Sequence, residues 1–370
     1  MRRLGGLGKG TPVLFGDGSV RPVERVRMGD CLMGPDGKTR SVASVKTGRS
    51  SLFRIEPVNG SSWLCTGQHA LTLVNTVTDA VIDVPVSQWL VSSATFKRSH
   101  KLFSVGVVRF DNGFGDGASR PIDPYFLGVW FGDGGKFMSA NEGGPAIYGV
   151  VISKPGPEIL ALCKKQARQW GLHVTTSNSN GTRCPSYRLS ADKAEPGQGP
   201  WKPNPLLRAL RDLVGEKILV PDAYLHAPRR ERLQFLAGMC DTDGELSDAT
   251  FVITQKREDW ALALWQLARS LGFYASLRAR FSGYRRVDGT FFKGTYWVVS
   301  ISGDTDQIPT RIAHKKAPPR RQKKVATRTG VAVVPAGNGP WHSFALEGKD
   351  DRFLLGDFVV TSAQVGPCAG

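Results

Sequence analysis

Several features are missing from this chain of 370 residues, and each absence argues against a class of protein. No stretch approaches 18 consecutive apolar residues, which argues against a transmembrane helix. The first residues run directly into glycine-rich sequence without an apolar core, so we expect neither a signal peptide nor export. The six cysteines form no Cys-x-x-Cys pair, and no histidine stands at metal-binding spacing from them. This pattern favours reduced thiols in an intracellular protein over a disulfide framework or a zinc site.

Acidic residues are also scarce relative to basic ones. The chain has 49 Lys and Arg against 32 Asp and Glu, which gives a formal net charge of +17. Hydrophobic residues make up 41% of the sequence, which suffices for ordinary buried cores, and the length indicates more than one domain. A basic surplus of this size favours an anionic partner, and nucleic acid is the first candidate.

The pattern of short segments changes twice along the chain. Residues 11–90 read as short strands separated by Gly and Asp turns, which is typical of an all-β module. From about residue 120, helices alternate with strand-like runs, and from about residue 331 the chain is strand-like again. We therefore predict a β module that is split in sequence, with an α+β domain inserted into it.

The inserted part repeats its own order of elements. We predict helices at 125–131, 157–170, 204–214, 230–241 and 258–271, and strands at 146–153, 172–176, 186–190, 250–255, 274–281 and 295–302. When the first and fourth helices are overlaid, Gly128 matches Gly238, Asp133 matches Asp243 and Gly134 matches Gly244. All three pairs lie 110 residues apart, which indicates a duplicated α+β unit.

Each of these two apolar helices ends at an aspartate, Asp133 or Asp243. Glycines within the helices would let the two backbones pack closely, which would bring the carboxylates together. A helix C-terminus carries partial negative charge, so two carboxylates there need a cation. Mg²⁺ or Mn²⁺ suits such oxygen ligands and can activate water and stabilise the leaving oxygen in phosphodiester cleavage.

The two helices resemble the paired motifs of LAGLIDADG homing endonucleases. Residues 236–244, Leu-Ala-Gly-Met-Cys-Asp-Thr-Asp-Gly, keep six of the nine consensus letters, and residues 126–134 keep Leu-Gly and the terminal Gly-Asp-Gly. The resemblance implies two αββαββα halves related by a pseudo-twofold axis, with saddle-shaped sheets that lie on DNA. It also implies the catalytic metal ligands, namely Asp133 and Asp243 with Gly132 and Thr242 beside them.

The flanking segments resemble the splicing (Hint) domain of inteins. The resemblance rests on residues 8–15, 28–37, 65–69 and 351–361, and is closest to large fungal inteins of vacuolar ATPase and splicing-factor hosts. The yeast mating-type switching endonuclease belongs to the same lineage. The implied domains are a Hint part at 6–100, an endonuclease domain at 119–318 with halves at about 119–215 and 216–318, and a second Hint part at 319–363. Residues 90–118 are a candidate extension that contacts DNA.

The splicing positions of this Hint-like module are degenerate. The first intein position, which needs a Cys or Ser nucleophile, is Gly6. The terminal His-Asn pair is replaced by Ser362 and Ala363, and the next nucleophile by Gln364. Three positions that assist splicing in the family remain, Thr66, His69 and Asp357. We predict that splicing is lost, through natural decay or deliberate substitution, and His69 stays open between a packing role and residual chemistry.

Basic residues supply the remaining site candidates. By the same resemblance, Lys217 before the second motif and Lys316 after the second half are the catalytic lysines, with Lys315 as the near alternative. The residues predicted to bind DNA are Arg278, Arg280, Arg285, Arg286, Lys315, Arg320 and Arg321. Residues 311–328 hold eight basic residues, no acidic residue and two prolines, and we predict a basic linker there. Polar side chains on strands 186–190 and 274–302 are candidates for reading base edges.

The preferred function is a monomeric, metal-dependent endonuclease that makes a double-strand break at a long site in double-stranded DNA. It would act in the nucleus and without a membrane. Two alternatives stay open at this stage. An autocatalytic intein is disfavoured because its nucleophiles are missing, and a DNA-binding protein without cleavage is disfavoured because Asp133 and Asp243 are both present.

Overall fold

The computed structural model describes residues 5–110, 120–135, 149–177, 184–193, 202–285, 289–321, 325–348 and 350–363. The chain is strand-rich with some helices. Its described residues fall into two compact units: the first draws on Met1–Asp116, Ala268–Ser276 and Gln322–Gly370, and the second on Gly117–Leu267 and Leu277–Arg321. No helix in these described ranges has both the length and the apolar character that crossing a membrane requires.

The elements follow one another in three groups. The first group contains β1 (Leu7–Gly8), β2 (Pro12–Leu14), β3 (Val20–Pro22), β4 (Cys31–Met33), β5 (Thr39–Pro57), β6 (Trp63–Thr66), β7 (Ala70–Asn75), β8 (Val81–Pro85), α1 (Val86–Val91), α2 (Ala94–Ser99) and β9 (His100–Phe103). The second contains α3 (Pro124–Asp133), β10 (Gly149–Ile152), α4 (Pro157–Gln169), β11 (His173–Ser177), β12 (Ser186–Ser190), α5 (Pro205–Val214), α6 (Asp222–Leu225), α7 (Arg229–Thr242), β13 (Gly244–Ser247), β14 (Thr250–Gln255), α8 (Glu258–Ser270), β15 (Tyr274–Arg285) and β16 (Phe291–Ser302). The third contains β17 (Arg328–Thr329), β18 (Val331–Leu346), β19 (Arg352–Leu354) and β20 (Val360–Ser362).

The first unit is built from antiparallel sheets that combine strands from both ends of the chain. One sheet has the order β18-β1-β6-β5-β4, and β18 also pairs along much of β5, from Val331 opposite Pro57 to Leu346 opposite Val42. A second sheet has the order β17-β9-β7-β20-β19, with β8 paired to β7. Buried side chains from both ends of the chain form one core, including Leu7, Ile55, Cys65, Leu71, Phe344 and Phe353.

The second unit contains two antiparallel sheets and the two apolar helices. Its sheets have the orders β10-β12-β11 and β13-β14-β16-β15. Helix α3 begins where the sequence predicts, because the Asp123 side chain accepts the Phe126 N–H and Pro124 occupies the first helical position. Its side chains from Tyr125 to Phe131 are all buried, which explains why the helix has no polar face.

The predicted helices and strands of the second unit are confirmed to within a few residues at their ends, although residues 136–148 and so the start of the strand at 146–153 lie outside the described ranges. The same local pairing occurs in both halves. Gly134 bridges to Ile152, and Gly244 pairs with Ile253. Two residues after Ile152 and Ile253, Lys154 and Gln255 therefore stand at corresponding positions, although β10 has already ended at Ile152.

The described cysteines are free thiols: Cys31, Cys65, Cys163, Cys184 and Cys240. Cys65 and Cys240 are fully buried, as the apolar runs around them predict. Burial raises the pKa of the Cys163 thiol to about 12.

Candidate active site

Glycines bring α3 and α7 into direct backbone contact. A Cβ atom added at Gly128 would lie 2.2 Å from the Phe235 carbonyl oxygen, and one at Gly238 would lie 2.3 Å from the Tyr125 carbonyl oxygen. At Gly132, a Cβ would lie 2.0 Å from Thr242 Oγ1. No larger residue fits at these three places, so the helices lie side by side and their C-terminal ends meet. The predicted close approach of the two motifs is thus confirmed.

Asp133 is the last residue of α3, and it lies beside Lys154, which follows β10 by two residues. Its main-chain carbonyl accepts the Ser153 N–H at 2.8 Å, and its Oδ2 lies 3.4 Å from Lys154 Nζ. Apart from this ion pair, the buried Oδ2 has no hydrogen-bond partner. Burial raises the pKa of the carboxyl, and the charges of Lys154 and Lys315 partly offset that rise.

Asp243 follows the last residue of α7, and its N–H donates to the Met239 carbonyl at 3.0 Å. Its Oδ2 accepts a hydrogen bond from Gln255 Nε2 at 2.6 Å. Burial, together with the negative charge of Asp133, raises the pKa of Asp243 to about 6. The two carboxylates therefore lie close enough to repel each other, and a cation between them would relieve that repulsion.

Two lysines supply positive charge at this point. Lys154 Nζ donates to the Thr242 carbonyl at 2.8 Å, and Lys315 Nζ donates to the Gly244 carbonyl. The positive charges of both ammonium groups offset part of the rise that burial causes in the pKa of Asp133 and of Asp243. Lys154 was missed from the sequence, although the strand ends Val-Ile-Ser-Lys at 151–154 and Val-Ile-Thr-Gln at 252–255 repeat the same pattern. This repeated pattern was the sequence signal from which Lys154 could have been predicted.

The predicted catalytic lysines lie elsewhere. Lys217 is exposed, and its carbonyl accepts a hydrogen bond from Arg257 at 2.7 Å. Lys316 is also exposed, whereas Lys315 is half-buried. In the described part of the chain, neither Lys217 nor Lys316 lies within the 4.0 Å of an ion pair with Asp133 or Asp243. The neighbour Lys315 takes the inner position because a short 3-10 turn, Ala313–Lys315, precedes Lys316.

Residues 311–316 are not a free linker, which corrects the prediction for 311–328. The fully buried carboxylate of Asp241 accepts the N–H groups of Arg311 at 2.7 Å and Ile312 at 3.3 Å. The Tyr125 hydroxyl donates to the same carboxylate at 2.6 Å. The two main-chain bonds fix the segment to α7, and the Tyr125 bond joins α3 to the same carboxylate. The two prolines and the basic composition suggested a linker, but a sequence pattern does not reveal a main-chain anchor 70 residues away.

The oxygen atoms at the helix ends suit a hard divalent cation. The candidate ligands are the carboxylates of Asp133 and Asp243 with the main-chain carbonyls of Gly132 and Thr242. The Oδ2 of Asp133 makes no hydrogen bond besides its ion pair with Lys154, and the pKa of Asp243 is raised, so a nearby cation would stabilise both carboxylates. No cluster of three or more His, Cys, Asp or Glu side chains occurs among the described residues, so a zinc-type site is not found there. Two carboxylates with carbonyl oxygens fit Mg²⁺ or Mn²⁺, which keep part of their water shell.

Most of the predicted DNA-binding arginines stand on or beside β15. Arg278 and Arg280 are exposed, and because side chains alternate along a strand they share the face opposite to the buried Ala275. Arg285 is exposed at the end of the strand, and Arg286 lies outside the described residues. Arg320 is half-buried and Arg321 is exposed at the end of the second unit. On the other sheet, the exposed Arg188 lies between Val151 and Thr175.

The residues predicted to be degenerate splicing positions all belong to the first unit. The Gly6 N–H donates to Thr66 Oγ1 at 3.0 Å, and the Thr66 N–H donates to the Gly6 carbonyl at 2.9 Å. His69 Nε2 is 2.7 Å from Thr361 Oγ1, and burial lowers the pKa of His69 to about 4. Thr66 therefore bonds the Gly6 main chain, whereas His69 bonds Thr361 through Nε2 and its buried Nδ1 has no hydrogen-bond partner in the structure.

A tryptophan closes the space at the first splicing position. A Cβ atom at Gly6 would lie 2.7 Å from Cε3 of Trp341, and a Cβ at Gly48 would lie 2.5 Å from Cζ2 of the same indole. The ring is thus held between two glycines, and a cysteine or serine at position 6 would collide with it.

The last degenerate positions belong to β20 and the residues beside it. Ser362 pairs with Ala70, and the Ala363 N–H donates to the Asp351 carbonyl at 2.9 Å. Asp357 is buried, its carboxylate accepts the Ser61 N–H at 3.2 Å, and burial raises its pKa. Each of these three residues thus makes main-chain or side-chain contacts within the first unit.

Comparison with known proteins gives one family match and several distant structural likenesses. Residues 7–96 match the family model described as Hom_end-associated Hint. No curated protein matches the chain. Among solved structures, I-DmoI in complex with DNA and Ca is similar at 16% identity and a TM-score of 0.36, over 54% of this chain and 93% of that one. The gp41-1 intein is similar at 20% identity and a TM-score of 0.19, over 23% of this chain and 60% of that one.

Proposed function

We propose that this protein is a LAGLIDADG-type homing endonuclease that makes a metal-dependent double-strand break at a specific DNA site. The observation that carries the proposal is the meeting of Asp133 and Asp243 at the ends of two glycine-packed helices, with two lysines beside them. The match of residues 7–96 to a Hint module associated with homing endonucleases supports it.

The site residues divide the work of phosphodiester hydrolysis. Asp133 and Asp243, with the carbonyls of Gly132 and Thr242, would hold Mg²⁺ or Mn²⁺. When bound, such an ion acts as a Lewis acid at the scissile phosphate and lowers the pKa of a water molecule. Lys154 and Lys315 keep the carboxylates ionised and offer positive charge to the phosphate. Gln255 fixes the orientation of the Asp243 carboxylate through its hydrogen bond.

Both sheets of the second unit offer a polar, basic face to a DNA duplex. Arg188 stands on one sheet and Arg278 and Arg280 on the other, and all three are exposed. Such side chains neutralise phosphates, whereas polar neighbours on the same strands could read base edges in the major groove. Because both halves belong to one chain, a monomer would suffice for both strands of a long site. Nuclear action is part of the proposal, on the ground of the resemblance to fungal inteins.

The first unit would serve as a scaffold without splicing activity. Gly6, Ser362 and Ala363 stand where the nucleophile and the terminal His-Asn pair are required. Trp341 fills the space that a side chain at position 6 would need. Incubation of the purified chain at 25–37 °C followed by mass spectrometry should give only the intact 40.2 kDa polypeptide, and a shortened product would contradict this part of the proposal.

The cleavage itself is tested with a plasmid library that carries a randomised insert. Purified protein and supercoiled plasmids are incubated with Mg²⁺ or with EDTA, and linear products are sequenced at their ends. Linear product should require Mg²⁺ and should fall at least about 100-fold in Asp133→Asn and in Asp243→Asn, because each removes a metal-binding carboxylate. Asp306→Asn, an exposed position in the same unit, is the matched control and should cut normally.

Two other outcomes would decide against the proposal. Product that persists in both aspartate variants would show that a different site cuts the DNA. Plasmid that is retarded on a gel but never cut, with a defined protected sequence, would instead identify a DNA-binding protein without cleavage.

A further inference from the structure

The carboxylate of Asp241 is buried beside the candidate active site but takes no part in the chemistry proposed above. It is fully buried on α7 and accepts three hydrogen bonds, from the Tyr125 hydroxyl and from the N–H groups of Arg311 and Ile312. A buried carboxylate with several donors is strongly fixed in place. Two of its three donors are main-chain groups of one short segment, so its contacts serve that segment.

The segment held by Asp241 is the one that carries Lys315. After Arg311 and Ile312, the chain turns through Ala313–Lys315, and the Lys315 N–H donates to the Ile312 carbonyl at 2.9 Å. Thr310 Oγ1 donates to the Lys315 carbonyl at 2.9 Å, which closes the turn. The Lys315 ammonium then reaches the Gly244 carbonyl, next to Asp243.

The side chain of Arg311 strengthens the same anchor. Its guanidinium carbon lies 3.6 Å from the centroid of the Tyr125 ring, and its Nη2 donates to Gln234 Oε1 at 3.2 Å. The segment is thus fastened to both central helices, to α3 through Tyr125 and to α7 through Asp241 and Gln234. A displaced anchor would move Lys315 away from both aspartates.

In the described residues of the first half, the position that corresponds to Asp241 carries no carboxylate. Phe131 occupies the position that corresponds to Asp241, and its ring packs against the rings of Trp130, Phe235 and Trp260. The lysine of the first half, Lys154, instead lies two residues after β10, and its ammonium contacts the Asp133 carboxylate and the Thr242 carbonyl. The contacts that place Lys315 therefore differ from those that place Lys154.

We propose that Asp241 is a positioning residue that, by holding the N–H groups of Arg311 and Ile312, places the Lys315 ammonium at the Asp133–Asp243 pair. The expected effect on DNA cleavage rests on the proposed nuclease function, whereas the placement of Lys315 by Asp241 does not. Asp241 itself would contact neither metal nor DNA, and it would act through Lys315.

The structural part is tested by amide hydrogen exchange on the full chain without DNA. In Asp241→Asn, one carboxylate oxygen becomes an NH₂ donor that cannot accept an N–H. The amides of Arg311 and Ile312 should then exchange about 10-fold faster or more, while protection in α3 and α7 is kept. Asp306→Asn, an exposed carboxylate five residues before Arg311, should leave both amides unchanged. Unchanged exchange in Asp241→Asn would overturn the proposal, whether or not the protein cuts DNA.

The catalytic part is tested by a double-mutant cycle with Lys315→Met, using a duplex recovered from the plasmid library. Alone, Asp241→Asn should slow single-turnover cleavage about 10-fold or more and leave the Kd for the duplex within about 2-fold. In the Lys315→Met background it should cause no further slowing, because the residue it places is gone. An equal slowing in both backgrounds would show that Asp241 does not act through Lys315.

A second variant keeps the test open if Asp241→Asn does not fold. Tyr125→Phe removes one of the three hydrogen bonds to Asp241 and preserves the aromatic ring under Arg311. It should raise exchange at Arg311 and Ile312 by a smaller factor, about 2- to 5-fold, and slow cleavage only when Lys315 is present. Exchange and cleavage that both match the unsubstituted protein would contradict the proposal.

Discussion

Asp243 is the residue on which burial and neighbouring charge act most strongly at the candidate site. Its pKa rises from an ordinary 3.8 to about 6, first through desolvation and then through repulsion by Asp133. A group whose folded pKa is raised binds more protons in the folded state than in the unfolded state. The free energy of unfolding therefore falls as pH rises from about 4 to about 6, and the loss is complete above that window.

We predict that Asp243→Asn is more stable than the unsubstituted protein at pH 7.5 in EDTA, by about 1–3 kcal/mol. Asparagine keeps the shape and can still accept the Gln255 hydrogen bond, but it carries no charge to repel Asp133. At pH 4, where the aspartate itself is largely protonated, the two proteins should have equal stability. Scanning calorimetry over this pH range checks the difference, and a stability difference that does not change with pH would refute the explanation.

We expect Lys154 to act mainly on the Asp133 half of the site, because it forms an ion pair with Asp133. Asp243 accepts a hydrogen bond from Gln255 instead. Lys154→Gln would make the two halves alike and leave Asp133 without its ion pair. We expect nicked circular plasmid to accumulate, with one strand cut about 10- to 100-fold more slowly. Lys165→Gln, an exposed lysine on α4, is the matched control and should cut both strands at the normal rates. If both DNA strands were cut equally slowly, Lys154 would not act mainly on the Asp133 half.

The sequence was sufficient to find the two aspartates but not their cationic neighbours. Asp133 and Asp243 belong to a local motif, so their spacing from Gly128 and Gly238 already indicates where the helices end. The position of Lys315 depends on hydrogen bonds from Asp241, which is remote in sequence. No local pattern distinguishes Lys315 from Lys316, and only the turn that precedes them decides which one faces inward.

At the scale of elements, α3 and α7 act as one structure because their glycines touch. The main-chain atoms that a side chain would meet cannot move without breaking helical hydrogen bonds. We predict that Gly128→Ala lowers the free energy of unfolding by about 2–4 kcal/mol, although alanine is the better helix former. Chemical denaturation with helical circular dichroism as the signal measures this loss.

The matched control for that prediction is Gly106→Ala. A Cβ there would meet only Thr327 Cγ2 at 3.7 Å, which is ordinary contact, so a change below about 1 kcal/mol is expected. An equal loss in both variants would mean that helix packing is not the cause. Gly128→Ala should also slow cleavage, since any separation of the helices separates Asp133 from Asp243.

Helices were predicted well and the long strands poorly, for a physical reason. Helix α3 is marked by the Asp123-Pro124 start, and α4 by its apolar stripe, and both signals are local. Only short strands were predicted within residues 11–90, yet β5 extends from Thr39 to Pro57. Residues 46–51 are mostly exposed and polar and carry no alternating pattern. They are extended because β18 pairs with them, and that partner lies almost 300 residues further along the chain.

At the scale of the whole molecule, the net charge of +17 has a consequence that can be measured. Each phosphate that a basic side chain neutralises releases a counterion, so log Kd for DNA rises with log salt concentration with a slope of about 0.9 per contact. Because Arg278 and Arg280 share the outward face of β15, we expect both to contact phosphates. The double variant Arg278→Ala/Arg280→Ala should therefore reduce the slope by about 2 and weaken binding to cognate and unrelated duplexes alike.

The matched control replaces two exposed lysines of α4, Lys164 and Lys165, with alanine. Helix α4 packs against β11 and β12, and these two lysines are not among its buried residues. Their loss therefore changes the net charge by the same amount as the arginine variant, but at another place. Fluorescence anisotropy titrations between about 50 and 200 mM salt give the slopes. If the lysine pair lowered the slope as much as the arginine pair, total charge rather than the β15 face would bind the DNA. A slope that falls only in the arginine variant would place the duplex on the outward face of the sheet that ends beside Asp243.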